Sequence, residues 1–248
     1  MIDLHAHILP GVDDGAFDLE EMLNMARMAV RSGVTAMAAT PHCNLPDERY
    51  PVWSKFIVSQ TEVMRSALQQ ADIPLQIYCG MEIYGTLEAP RLLREGMLHT
   101  LNSSRYPLVE FPFYDYAEEA TAVLETFVRM GYRPIVAHPE RYAYVQETPQ
   151  ILNIWTDLGC LLQLNRGSLL GRFGRRAERL SYGLIERGFA TCIASDAHTS
   201  TVRTPWLKDV YDLIGREYSF ELADLLMKQN PKSILGDHEV ETEEPEWF

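Results

Sequence analysis

The chain is short of cations, short of cysteine and without any long apolar run, and each shortage excludes something. Lysine and arginine number 22 against 35 aspartates and glutamates, a formal charge of −13 over 248 residues. Binders of nucleic acid or of anionic membranes draw the sequence-independent part of their affinity from clustered cations, so this balance argues against both. Six of the acids (Asp237, Glu239, Glu241, Glu243, Glu244 and Glu246) lie in the last twelve residues, and the body without them still carries −7. No apolar run approaches the roughly 20 residues that span a bilayer, so no membrane insertion is expected. The first residues, Met-Ile-Asp-Leu-His, lack the charged-then-apolar pattern of an export signal. The four cysteines (Cys43, Cys79, Cys160 and Cys192) form no Cys-x-x-Cys pair. They read as reduced thiols, which makes the cytoplasm the expected compartment. Repeats and low-complexity linkers are lacking as well. The expectation is one domain over 1–236 and an acidic, mobile tail over 237–248.

What the chain does have is a steady alternation of short apolar runs and amphipathic stretches. Strands are predicted over 2–4, 34–40, 75–81, 106–109, 134–137, 160–164 and 190–195. Helices are predicted over 18–31, 53–71, 117–130, 151–158 and 175–187, the first opened by Asp18 as N-cap and closed by Gly33. Strands apolar on both faces and alternating with helices imply an α/β fold with a parallel sheet. Seven strands in this length fit a closed or nearly closed barrel better than an open sheet.

Chemistry gathers at one end of those strands. His5, His7, His42, Glu82, Glu110, His138, Asp196 and His198 all sit at, or one to three residues past, a predicted strand's C-terminal end. In a parallel barrel these ends converge on the face where active sites are built. Five of the chain's seven histidines belong to this set, and His99 and His238 are left as ordinary turn and tail residues. The spacings His5-x-His7 and Asp196-x-His198 suit metal binding, because side chains repeat every second residue on a strand and two ligands then share a face. Donors of nitrogen and oxygen without thiolate favour manganese, iron or zinc, and the set exceeds the needs of one ion. Asp13-Asp14-Gly15 follows the first strand and adds an acid to the same set. Arg141, Arg203 and, more weakly, Arg166 are candidates for gripping phosphate with a planar guanidinium fork. Cys43 and Arg49 have the spacing of a cysteine phosphatase loop. The intervening Pro46, Asp47 and Glu48 are wrong for one, since a phosphate cradle needs backbone N–H groups and no acids.

As an ordered set, His5-x-His7, Thr40-Pro41-His42, Gly80-x-Glu82, Glu110-Phe-Pro, His138-Pro-Glu-Arg141 and Ser195-Asp196-Ala-His198 resemble the polymerase and histidinol phosphatase (PHP) superfamily. The segments 8–15 and 165–171 resemble its CpsB/YwqE-type protein-tyrosine phosphatases, manganese-dependent enzymes of bacterial capsule and exopolysaccharide systems. The resemblance implies a distorted (β/α)7 barrel with three divalent ions. His5, His7, Glu82 and Asp196 would hold one; Glu82, bridging, with Glu110 and His138 a second; Asp14, His42 and His198 the third. Arg141 and Arg203 match the phosphate-binding arginines. Two positions depart from the pattern: Cys43 stands where a second histidine is common, and Arg166 where alanine is common. The expected reaction is hydrolysis of a phosphomonoester by a hydroxide bridging two ions. The expected substrate is phosphotyrosine on a bacterial tyrosine kinase, and no particular oligomeric state is implied. The alternatives are a small-molecule phosphatase of the histidinol phosphate type and a non-catalytic module that docks on a kinase.

Overall fold

A computed structural model describes residues 1–43, 50–114, 117–240, 242 and 245–248. The stretch from Asn44 to Arg49, which contains the acids and proline weighed above, lies outside the described residues, as do Glu241, Glu243 and Glu244. Nine strands occur among the described residues: β1 (Ile2–Ala6), β2 (Ala36–Ala39), β3 (His42–Cys43), β4 (Gln76–Cys79), β5 (Glu82–Tyr84), β6 (Leu108–Glu110), β7 (Ile135–Ala137), β8 (Leu161–Asn165) and β9 (Ala190–Ala194). Every pairing is parallel. One sheet has the order β1-β2-β4 and the other β3-β5-β6-β7-β8-β9.

Seven strands were expected, and the higher number has a local cause. The second and third predicted strands each break once, at Thr40-Pro41 and at Gly80-Met81, and continue in the other sheet as β3 and β5. Pro41 has no N–H to give the ladder. At Gly80 a side chain would come within 2.9 Å of Leu101. At the two breaks each sheet's own ladder runs on by one bond. Gly80 N–H donates to the Ala39 carbonyl at 3.0 Å and Glu82 N–H to the Pro41 carbonyl at 3.0 Å. On the far side, Asp196 N–H donates to the His5 carbonyl at 2.9 Å and His7 N–H to the Ala197 carbonyl at 2.8 Å.

Helices cover the strands. The α-helices are α1 (Leu19–Arg31), α2 (Tyr50–Gln70), α3 (Ala89–Arg94), α4 (Ala117–Arg129), α5 (Ala143–Glu147) and α6 (Ile151–Asp157) in the first part of the chain. They are followed by α7 (Arg166–Leu169), α8 (Arg175–Glu186), α9 (Lys208–Glu217), α10 (Phe220–Asp224) and α11 (Asn230–Leu235). Asp18 caps α1 as its sequence predicts, accepting from Glu21 N–H at 2.9 Å. Strand side chains alternate between two apolar clusters. Val109, Val136, Leu162 and Ile193 join the larger one, and Leu108, Ile135, Leu161 and Cys192 the smaller. Both faces of these strands are therefore dry, as their unbroken apolar runs require. No helix among the described residues is long and apolar enough to cross a membrane.

The C-terminal segment, expected to be a mobile tail, packs on the body at its described residues. Val240 is buried in the smaller core cluster, and the Phe248 ring stacks on Phe189 with centroids 5.2 Å apart. Tyr106 donates its hydroxyl to the His238 carbonyl at 2.7 Å, and Arg133 donates to the Val240 carbonyl at 2.9 Å. The acids obscured this. Among them stand apolar Val240 and Phe248, and Arg105 and Arg187 accompany the segment along the body.

Candidate metal centre

Local sequence explains why the ligand-type residues face one another. His5 and His7 leave β1 two residues apart, so both imidazoles fall on one side, with their Nε2 atoms 3.2 Å apart. His138 and Asp196 follow β7 and β9 in a left-handed backbone conformation, φ 37° and φ 50°. Neither is glycine, and a non-glycine residue held there costs of order 1–3 kcal/mol. The sharp turn points both side chains inward. Gly15 is needed for a different reason. A Cβ on it would lie 1.9 Å from the His7 carbonyl oxygen, so only glycine lets the Asp13-Asp14 loop close over His7.

The result brings together all nine residues expected to bind metal. Four overlapping groups have donor atoms within 4.8 Å of one another: His7, Asp14, His42 and His198; His5, His7 and Asp196; His5, Glu82 and His138; His42, Glu82 and Glu110. His138 thus groups with His5, and Glu110 with His42, whereas the resemblance paired those two residues around one ion. Glu82 is the hub. Its Oε1 lies 2.9 Å from His138 and 3.2 Å from His5, and its Oε2 lies 3.0 Å from His42 and 3.2 Å from His7. The hub is dry, with Glu82 1% and His5 and His7 0% exposed, and the site opens to solvent on the side of His42, Asp14 and Arg203.

Three of the imidazoles are aimed by their other nitrogen. His5 Nδ1 meets Gln163 at 2.9 Å, His7 Nδ1 meets Asp13 at 2.7 Å, and His198 Nδ1 meets the Asp196 carbonyl at 3.1 Å. This is how metal-binding histidines are held, with a carboxylate, amide or carbonyl fixing the ring. Asp13 and Gln163 are candidate positioning residues that motif reading passed over. The first was visible as the extra acid in Asp13-Asp14-Gly15, and the second as an isolated amide in the apolar strand β8. The chemistry of the donor set fits divalent cations. Buried Glu82 Oε2 and His138 Nδ1 have no hydrogen-bond partner among the described residues.

Titration is distorted accordingly. Burial opposes charge on His42, yet Glu110 and Glu82 override it and lift the imidazole to about 10. Burial also opposes the Glu82 carboxylate, but the histidines around it hold it well below the usual carboxylate range. His138 goes the other way, lowered by burial to about 4. Groups that hold protons in the absence of cations and exchange them for metal behave in this manner.

Arg141 and Arg203 converge on one atom. Arg141 NH1 donates to Asp196 Oδ2 at 3.1 Å, Arg203 NH2 donates to the same oxygen, and Arg203 NH1 lies 3.0 Å from His198 Nε2. Arg166, the weaker candidate for gripping phosphate, has partners away from Asp196. Asn165 caps α7, accepting from Gly167 N–H at 2.9 Å. Arg166 at the head of that helix sends Nε to Asp209 at 2.8 Å and NH1 to the Thr204 carbonyl at 3.2 Å. Every nitrogen of its guanidinium is engaged. It anchors the loop that carries Arg203 to α9. Arg166→Ala is expected to cost about 1–3 kcal/mol, less than a fully buried pair, because Asp209 is 35% exposed. A thermal melt reading a fall of several degrees would show it, and an unchanged melting temperature would remove the anchor.

Glu140 supplies a pH signature. Burial pushes its carboxyl up to about 7 from an ordinary 4.5, although it accepts from Asn165 N–H at 3.0 Å. The folded state therefore prefers the protonated form. Its contribution to stability is full below pH 4.5 and is lost as pH rises through about 7. Glu140→Gln keeps the carbonyl acceptor and cannot ionise. Its melting temperature should exceed the parent's at pH 8 and match it near pH 5, with a ceiling on the order of 3 kcal/mol. Equal effects at both pH values would contradict this account.

A parallel α/β fold with histidine–carboxylate clusters at the C-terminal ends of its strands defines a protein able to bind metal. The sequence profile of the capsular polysaccharide synthesis family CpsB/CapC matches residues 1–236, and the chain belongs to that family. It is 34% identical over 248 residues to the tyrosine-protein phosphatase YwqE of Bacillus subtilis (strain 168), covering 99% of this chain and 96% of that one. It is 30% identical over 247 residues to the tyrosine-protein phosphatase CpsB of Streptococcus pneumoniae, covering 96% and 99%. A crystal structure from work on these two metal-dependent tyrosine phosphatases superposes with a TM-score of 0.93 at 32% identity, covering 100% of this chain and 99% of that one.

Proposed function

We propose that this protein is a manganese-dependent protein-tyrosine phosphatase that acts on phosphotyrosine of a bacterial tyrosine kinase in capsule or exopolysaccharide regulation. The observation that carries the reading is the convergence of nine nitrogen and oxygen donors with two arginines on Asp196, in a full-length relative of named tyrosine phosphatases. The two sheets are read as one distorted (β/α)7 barrel, a reading supported by the bonds that join the ends of β1 and β9 across the sheets. Three ions are assigned to the donors, as the family resemblance implies. On that assignment His5, His7, Glu82 and Asp196 would hold the first, Glu82, Glu110 and His138 the second, and Asp14, His42 and His198 the third, with His138 also near His5 and Glu110 near His42. A cytoplasmic setting agrees with Cys79, Cys160 and Cys192, which form no disulfide.

Divalent ions held there would supply Lewis acidity, polarising phosphoryl oxygens and making water more acidic. The chain's own residues do the rest. Arg141 and Arg203 turn from Asp196 to the phosphoryl oxygens and stabilise charge that builds on them as the ester breaks. Gln163 and Asp13 keep the imidazoles from rotating. The opening beside His42 and Asp14 suits a tyrosyl group carried on a protein segment, and a tyrosyl leaving group with a pKa near 10 needs little acid assistance.

The test is turnover of p-nitrophenyl phosphate and a phosphotyrosine peptide. Chelator should abolish it, manganese should restore it, and Cys43→Ser should leave it in place. Activity that survives chelation and disappears in Cys43→Ser would overturn the reading in favour of a cysteine nucleophile.

A further inference from the structure

Arg141 lies between two phenyl rings from separate loops. Its guanidinium carbon is 4.7 Å from the Phe113 centroid and 4.2 Å from the Phe173 centroid, and that of Arg203 is 5.8 Å from Phe173. Phe113 also stacks on His138 with centroids 6.0 Å apart. Both phenylalanines are half-buried at the rim of the site. Phe113 packs on the edge of the larger core, whereas Phe173 belongs to neither apolar cluster. What seats Phe173 is Gly167, where a Cβ would come within 2.4 Å of the ring. A large apolar side chain held outside the core, on a glycine, against the arginines of the site is not explained by folding.

We propose that Phe113 and Phe173 form an aromatic slot that selects aryl over alkyl phosphate esters. The inference rests on the phosphatase reading above and names what decides the ester's class. A phosphate held on the Arg141 fork places its oxygens about 3 Å from the guanidinium nitrogens. The leaving group's first carbons then fall in the shell that the two rings already occupy. A flat ring entering there meets aromatic neighbours through offset or edge contacts, each contact adding a factor of roughly 2 to 10. A serine or glycerol chain gains no such contact.

The experiment uses Phe173→Leu, Phe113→Leu and the ring-preserving Phe173→Tyr in the manganese-loaded protein. One readout is kcat/KM for phosphotyrosine and phosphoserine forms of one peptide. The other is calorimetric affinity for phenylphosphonate against methylphosphonate. The leucine variants should lower the aryl-to-alkyl ratio roughly fivefold in both readouts, and the tyrosine variant should keep it. Equal losses for both members of a pair would mean that the rings only hold Arg141, and would overturn the slot. Equal affinities for the two phosphonates in the parent protein would do the same. Absent turnover in a protein that still prefers phenylphosphonate would end the phosphatase reading and support the slot.

Discussion

Glu82→Gln is expected to lower phosphatase activity at least ~100-fold, the upper end of what removing even a residue that supports a metal ligand costs. No other acid in the cluster touches four imidazoles. Glutamine keeps the size and one acceptor oxygen, so the fold should survive, and circular dichroism of the variant should match the parent. What changes is charge. The four histidines around position 82 lose their common anion, and any ion bound among them loses a ligand able to bridge. Elemental analysis of the purified variant should therefore show less metal per chain. A variant with full metal content and full activity would end the assignment of Glu82 as hub.

Arg203→Ala should reduce kcat/KM on a phosphotyrosine peptide by about 10²–10³, the scale for removing one donor aimed at developing charge. Metal content should stay at the parent level, which separates this effect from that of Glu82→Gln. Arg203→Lys should recover only part of the loss. A lysine keeps the charge, but a single ammonium cannot bond Asp196 and His198 with two nitrogens as the guanidinium does. Full recovery by lysine would reduce Arg203 to a source of charge. Asp196 Oδ2 is shared with Arg141, so a double variant should fall short of the product of the single losses.

Much of the site was legible because its residues announce themselves at strand ends. His5 and His7 were readable from their spacing, and His138 and Asp196 from the apolar runs before them. The partners of Arg166 were not legible, for a physical reason. Its position after β8 resembles that of Arg141 after β7, yet the destination of a long side chain is set by what lies across space. Asp209, 43 residues further on, takes it. Asp13 was legible as an acid and not as a clamp on His7. The packing of the C-terminal segment was not legible because composition counts its glutamates, whereas packing depends on where Val240 and Phe248 land.

Periodicity and local chemistry thus determined the element order, the parallel arrangement and the identity of the donors, because strand and helix periods act over a few residues. Tertiary structure alone decided which donors share a neighbourhood, which nitrogen of each imidazole faces inward, and that Phe113 and Phe173 close on Arg141. Those outcomes depend on contacts between segments tens to hundreds of residues apart, where a displacement of one side-chain length exchanges a ligand for a bystander.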